Sequence, residues 1–203
     1  MQYKAIACCT FLLIHTLLVG CKTEPEQFRF SVVTSGGPKG WPIWIENLTF
    51  DNRWGVPAGS HESGFGKQPP RGGTVGLGDS VVAPKSLQAR WFSYRTQTYY
   101  KIDLTLPDSM EDKLKAWYEK YPVSEYQHYL VTAFSGKGEV QVWWHAWCSQ
   151  CDLYDDSEDF STPIIKAARG KTYEPEVIGH KAQTKELVER GVIPSPWEDK
   201  ASQ

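Results

Sequence analysis

Four runs between residues 87 and 147 alternate with a period of two, and that period constrains the fold more than any other feature of the chain. Leu87, Ala89 and Trp91 alternate with Gln88, Arg90 and Phe92, and Tyr100, Ile102, Leu104 and Leu106 with Lys101, Asp103 and Thr105. Successive side chains of a strand point to opposite sides, so each run is expected to be a half-buried strand. The short Arg95-Thr96-Gln97-Thr98 connects the first two as an antiparallel hairpin. Residues 129–134 and 139–147 flank Ser135-Gly136-Lys137-Gly138 and make a second hairpin by the same reasoning. In its outgoing strand Val140, Val142, Trp144 and Ala146 share one face, and Gln141, Trp143, His145 and Trp147 the other.

Helical spacing appears where the alternation stops. Met110, Leu114, Trp117, Tyr118 and Tyr121 recur at helical intervals, Asp108 and Glu111 stand at capping-box spacing, and Pro122 ends the run. Ala182 and Leu187, among charged neighbours, predict a short helix over 182–190 stopped by Gly191. Upstream, Phe28, Phe30 and Val32 alternate as a first strand, and residues 41–50 read as a second with Pro42 near its start. Residues 55–78 are rich in Gly, Pro and Ser and predict a long loop, one of the two expected contact segments beside the acidic 152–159 loop. The expected fold is α+β, a mainly antiparallel sheet built from hairpins with two or three packed helices.

The first twenty residues stand apart from that domain. One basic residue, Lys4, precedes an apolar run to Gly20 that is too short to span a bilayer and has the form of a signal peptide. The run ends in Leu18-Val19-Gly20-Cys21, which resembles the lipobox of bacterial lipoproteins. The resemblance implies cleavage before Cys21 and acylation of its sulfur and new amino group. Several acyl chains, at about 0.8 kcal/mol per buried methylene, anchor a protein firmly. The expected organisation is a signal peptide over 1–20, a lipidated tether over 21–27 and a single periplasmic domain over 28–203. Lys22, rather than Asp, follows the cysteine, which by resemblance to enterobacterial sorting favours the outer membrane.

The chain carries a net charge of −2 and no lysine-rich run, which argues against nucleic acid as a partner. Nine Trp in 203 residues exceed what an average core needs and point to a β-rich fold with a contact surface. Trp143, His145 and Trp147 are candidates for partner binding if their face is open, and core if the 182–190 helix covers it. The acidic segment with Asp155 and Asp156 is a second candidate contact, suited to steering a basic partner. Cys148 and Cys151 favour a structural disulfide in an oxidising compartment. Their C-x-x-C spacing also matches half a zinc site or a redox motif, but neither the second ligand pair nor a βαβ setting accompanies it. No G-x-S-x-G elbow and no H-E-x-x-H occur. The expectation is a non-catalytic protein without metal or cofactor.

Pro84, Leu87, Trp91-Phe92-Ser93, Tyr99-Tyr100, Leu106-Pro107 and Gly138-Glu139-Val140-Gln141-Val142-Trp143-Trp144 follow one another in an order that resembles an uncharacterised group of small bacterial lipoproteins, classed only as a domain of unknown function. The likeness covers about residues 81–147 with the lipobox upstream. The Gly-rich segment after Trp54-Gly55 is similar to a neighbouring lipoprotein family, also of unknown function. Such lipoproteins often stand beside type VI secretion phospholipase effectors. The resemblance therefore implies an immunity protein that binds and blocks a secreted lipase effector, with the membrane reached through the lipid anchor. The alternative is an envelope lipoprotein that binds lipid or glycan, or a structural scaffold.

Overall fold

A computed structural model describes residues 24–57, 59–152, 156–176 and 179–195. The signal segment and Cys21 lie outside the described residues. Thirteen strands and two helices are assigned within them. The first sheet has the order β12 (Phe160–Arg169), β11 (Glu139–Cys148), β10 (Tyr126–Phe134), β2 (Ser31–Gly36), β6 (Gly73–Gly76). The second runs β13 (Lys171–Thr172), β9 (Thr98–Thr105), β8 (Ser86–Ser93), β3 (Ile43–Phe50), β4 (Trp54–Val56), with β5 (Gly59–His61) also on β3. A two-residue pair joins β1 (Gln27–Phe28) to β7 (Val81–Val82).

The two sheets pack face to face, because the alternation gives each one apolar side. Val32, Leu130, Phe134, Val140, Val142 and Trp144 from the first meet Ile43, Ile45, Leu48, Phe50, Leu87 and Trp91 from the second in one buried cluster. Both expected hairpins form: Leu87 pairs with Leu104 and Trp91 with Tyr100, and Leu130 pairs with Trp144 and Val131 with Trp143. In β3 a bulge between Ile45 and Asn47 keeps Leu48 and Phe50 on the same inner side as Ile43 and Ile45 despite the change of parity. All strand pairs are antiparallel except β2 with β10, whose parallel register sets Val33 beside Val131. The mainly β character with packed helices agrees with expectation, and the helices are two and short.

Helix α1 (Met110–Lys120) closes one end of the sandwich with Met110 and Leu114, while Trp117 stacks on Trp144. Its N-cap is Ser109, with no side-chain capping bond, so the Asp108–Glu111 capping box does not form. Glu111 instead pairs with Lys115 one turn on, 2.9 Å away. Helix α2 (Lys181–Glu189) lies on the second sheet's outer face, where Leu187 joins Phe92, Tyr94, Tyr99 and Ile193. It therefore does not cover the Trp143 face. The expected strand from Phe28 through Val32 is interrupted between β1 and β2, and both Phe28 and Phe30 turn into the core. The 55–78 segment is not uniformly loop: β5 and β6 fall inside it and β4 overlaps its start. No helix among the described residues is long and apolar enough to cross a membrane.

Candidate functional site

The outer face of the first sheet, opposite the core, carries a cleft of about 480 Å³. Its floor comes from strand parity. Val33, Val131 and Trp143 lie side by side in register across β2, β10 and β11, and form a small cluster with Tyr129 packed against it. One step along, Tyr129 pairs with His145, and His145 pairs with Ser161 on β12. Tyr129 and His145 have nearly parallel rings, 5.9 Å apart at 24°. Trp147 continues the row and lines the cleft with Tyr129, Val131, His145 and Ser161.

The walls are loops. A strap of Gln68, Pro69, Pro70, Arg71 and Gly72 crosses one side. The Ser35 hydroxyl pins it by donating to the Arg71 carbonyl at 2.7 Å. Gly72 presses so closely on Thr34 that a Cβ there would collide with the Thr34 carbonyl oxygen. Asp156 and Asp159 stand on the other side, and the Arg71 guanidinium meets Asp156 across the mouth at 3.6 Å.

Trp143 is only 9% exposed, and its indole N–H donates to the Gln141 side-chain oxygen at 3.2 Å. It packs with Val33 and Val131 beneath the cleft lining. His145 and Trp147 face the cleft, and Asp156 stands at its rim. Asp155 lies outside the described residues. Cys148 and Cys151 are joined by a disulfide, with Cα atoms 5.4 Å apart. Among the described residues no three or more His, Cys, Asp or Glu gather as a metal site.

Asp159 belongs to the acidic segment expected as a contact, but the sequence did not single it out from its acidic neighbours. Its side chain is 14% exposed. One carboxylate oxygen accepts the Cys148 backbone N–H at 2.9 Å, which ties the acidic loop to the end of β11. The other faces His145 Nε2 at 3.8 Å. Burial pushes the His145 pKa below its ordinary value, against the opposing pull of the Asp159 carboxylate and the Phe160 backbone. Burial thus favours the uncharged ring. Tyr129 was not singled out, although it has the parity of Val131, a signal present in the sequence; the strap falls within the 55–78 loop expected as a contact segment, and its place beside the sheet is set by tertiary contact.

Residues 20–194 match a family described as proteins of unknown function (DUF2931). The chain belongs to the DUF2931 family. The match runs from just before Cys21 to just beyond α2, so every strand and both helices of this DUF2931 domain fall within it. No curated protein and no solved structure matches the chain.

Proposed function

We propose that this DUF2931 protein is a lipid-anchored binding module of the bacterial envelope, and specifically an immunity protein that blocks a lipase effector delivered by type VI secretion. The observation that supports a binding role is the construction of the cleft. Its floor is rigid strand, its walls are loops free to vary without disturbing the core, and aromatic and acidic groups converge on it. Blocking an enzyme by occlusion requires shape and charge of its inhibitor and no chemistry. The lipobox motivates the location, on the periplasmic side and held at Cys21, where an incoming lipase would meet its substrate. The aromatic floor also favours a second reading, in which the cleft holds part of a lipid or a glycan.

The experiment is a growth competition on a surface between the source bacterium and a derivative lacking this gene. The derivative should be killed by a parent with active type VI secretion, survive beside a secretion-deficient parent, and be rescued by a plasmid copy. Equal survival beside both parents would remove the immunity reading and leave the lipid or glycan one, which binding of envelope lipid extracts or glycan arrays would then test.

A further inference from the structure

We infer that the cleft receives an arginine side chain of the protein partner, guanidinium first, with Asp159 as the anion that meets it. This rests on the binding role proposed above and adds the chemistry of the contact.

Among the described residues, the buried carboxylate of Asp159 meets one hydrogen-bond donor and one ionisable side chain. Asp159 is 14% exposed, and one of its oxygens is engaged by the Cys148 N–H. The other points along the cleft at His145 Nε2, 3.8 Å away and beyond hydrogen-bond length. Burial disfavours the charged form of that imidazole, so it is a poor counter-ion for the carboxylate. A buried carboxylate is costly unless a cation or several donors meet it, and a cation that enters removes that cost at the moment of binding.

The surroundings select which cation fits. Tyr129 and Trp147 line the approach to Asp159 with flat aromatic surfaces. A guanidinium is planar, weakly hydrated and forked, so it can stack on such rings while donating to a carboxylate; an ammonium holds its water more strongly and has no flat face. At the mouth Arg71 presents its own guanidinium to Asp156 at 3.6 Å. Among the described residues Arg71 forms no ion pair with Asp159 and one with that outer carboxylate. The two side chains are 74% and 81% exposed, a pairing that solvent screens and that a partner can displace. The arrangement is an acidic rim that attracts, and a second, buried acid that holds.

The test uses the protein purified from membranes in a non-ionic detergent and labelled at its indole nitrogens. The probe is N-acetyl-arginine methylamide, and the control its citrulline counterpart, which has the same shape without the charge. The arginine probe should shift the Trp147 indole resonance, assigned by Trp147→Phe, in a saturable way. Asp159→Asn should weaken that binding roughly tenfold, the loss of one charge-assisted contact. Its amide oxygen still accepts the Cys148 N–H, so the fold is kept, and Asp156→Asn at the exposed rim should weaken binding less. Equal response to citrulline, no saturable shift with arginine, or unchanged affinity in Asp159→Asn would overturn the inference. The two proposals separate cleanly. If the gene protects in competition and Asp159→Asn protects equally well, the arginine inference fails and immunity stands. Selective arginine binding without any competition phenotype gives the reverse.

Discussion

The indole N–H of Trp91, on β8 of the second sheet, donates to the carbonyl oxygen of Ser135, in the β10–β11 turn of the first, at 3.0 Å. This bond crosses the sandwich in a fully buried setting, with Tyr100 stacked on the same indole at 5.4 Å. Trp144, the other large indole of the core, has no partner for its N–H among the described residues. Trp91→Phe should therefore cost more than Trp144→Phe. The first loses a buried hydrogen bond as well as volume, about 2 kcal/mol or more, while the second loses volume but also removes an unsatisfied donor. Urea denaturation of both variants checks the order, and a reversed order would show that the sheets are not held by this bond.

Burial pushes the pKa of His61, His128 and His145 below the ordinary value. The folded protein then binds fewer protons than the unfolded chain once the pH falls below that value, about 6.5. Stability should be flat above it and decline from about pH 6.5 towards pH 5. His128 is the best probe, because its ring stacks on Tyr118 at 4.0 Å and its Nε2 meets the Tyr121 carbonyl at 2.7 Å. His128→Gln retains a donor for that carbonyl and should flatten the decline in denaturation midpoint. An unaltered pH profile would exclude His128 as a source of the slope.

Much of the sandwich is legible in the sequence because a half-buried strand writes its parity into side chains, as β8 to β11 do. What escaped has physical reasons. In β12, Pro163 and the register shifts opposite Val140 and Val142 break the period of two, tolerable because β12 is an edge strand with one free side. The amphipathic face of α2 predicts that it is covered, not which sheet covers it; Leu187 found Phe92 and Tyr99 rather than Trp143. For the cleft, parity placed Trp143, His145 and Trp147 on one face, but the depth of each depends on what crosses above. Asp159 looked like one acid among several in a loop, since no periodicity reports the direction of a loop side chain.

The proposed lipidation at Cys21 gives a direct expectation. The wild-type protein should incorporate labelled palmitate and sediment with membranes, since acyl chains on one residue hold it there. Cys21→Ser should carry no label and appear in the soluble fraction. Label retained in that variant would place the lipid elsewhere.

The Cys148–Cys151 disulfide closes a loop with a sequence separation of 3, so it restrains little of the unfolded chain. Replacing both cysteines by serine should cost no more than roughly 2 kcal/mol. The contact from Asp159 reaches the backbone of Cys148 rather than its sulfur, so binding at the cleft should survive the change. Denaturation with and without reductant, alongside the arginine titration, reads both effects. Loss of probe binding in the folded double variant would mean that the disulfide itself positions Asp159.

Gly72 is where the strap is held closest to the sheet, and the obstacle to a side chain there is backbone, the Thr34 carbonyl oxygen, which cannot rotate aside. Thr34 is anchored in β2, paired with Gly73 on one side and Thr132 on the other, so the strand is the less yielding partner and the strap must lift. Gly72→Ala should cost about 1–3 kcal/mol by overpacking and move Arg71 away from the cleft mouth. Two signals would follow in one experiment: a lower denaturation midpoint, and altered resonances for Tyr129 and Trp147, which line the cleft with the strap. A control, Gly76→Ala, tests the same substitution in β6 at a position with open space around it, and it should leave those resonances unchanged. If Gly72→Ala behaves like the control, the strap does not form the wall of the cleft in solution, and the candidate site is an open sheet face.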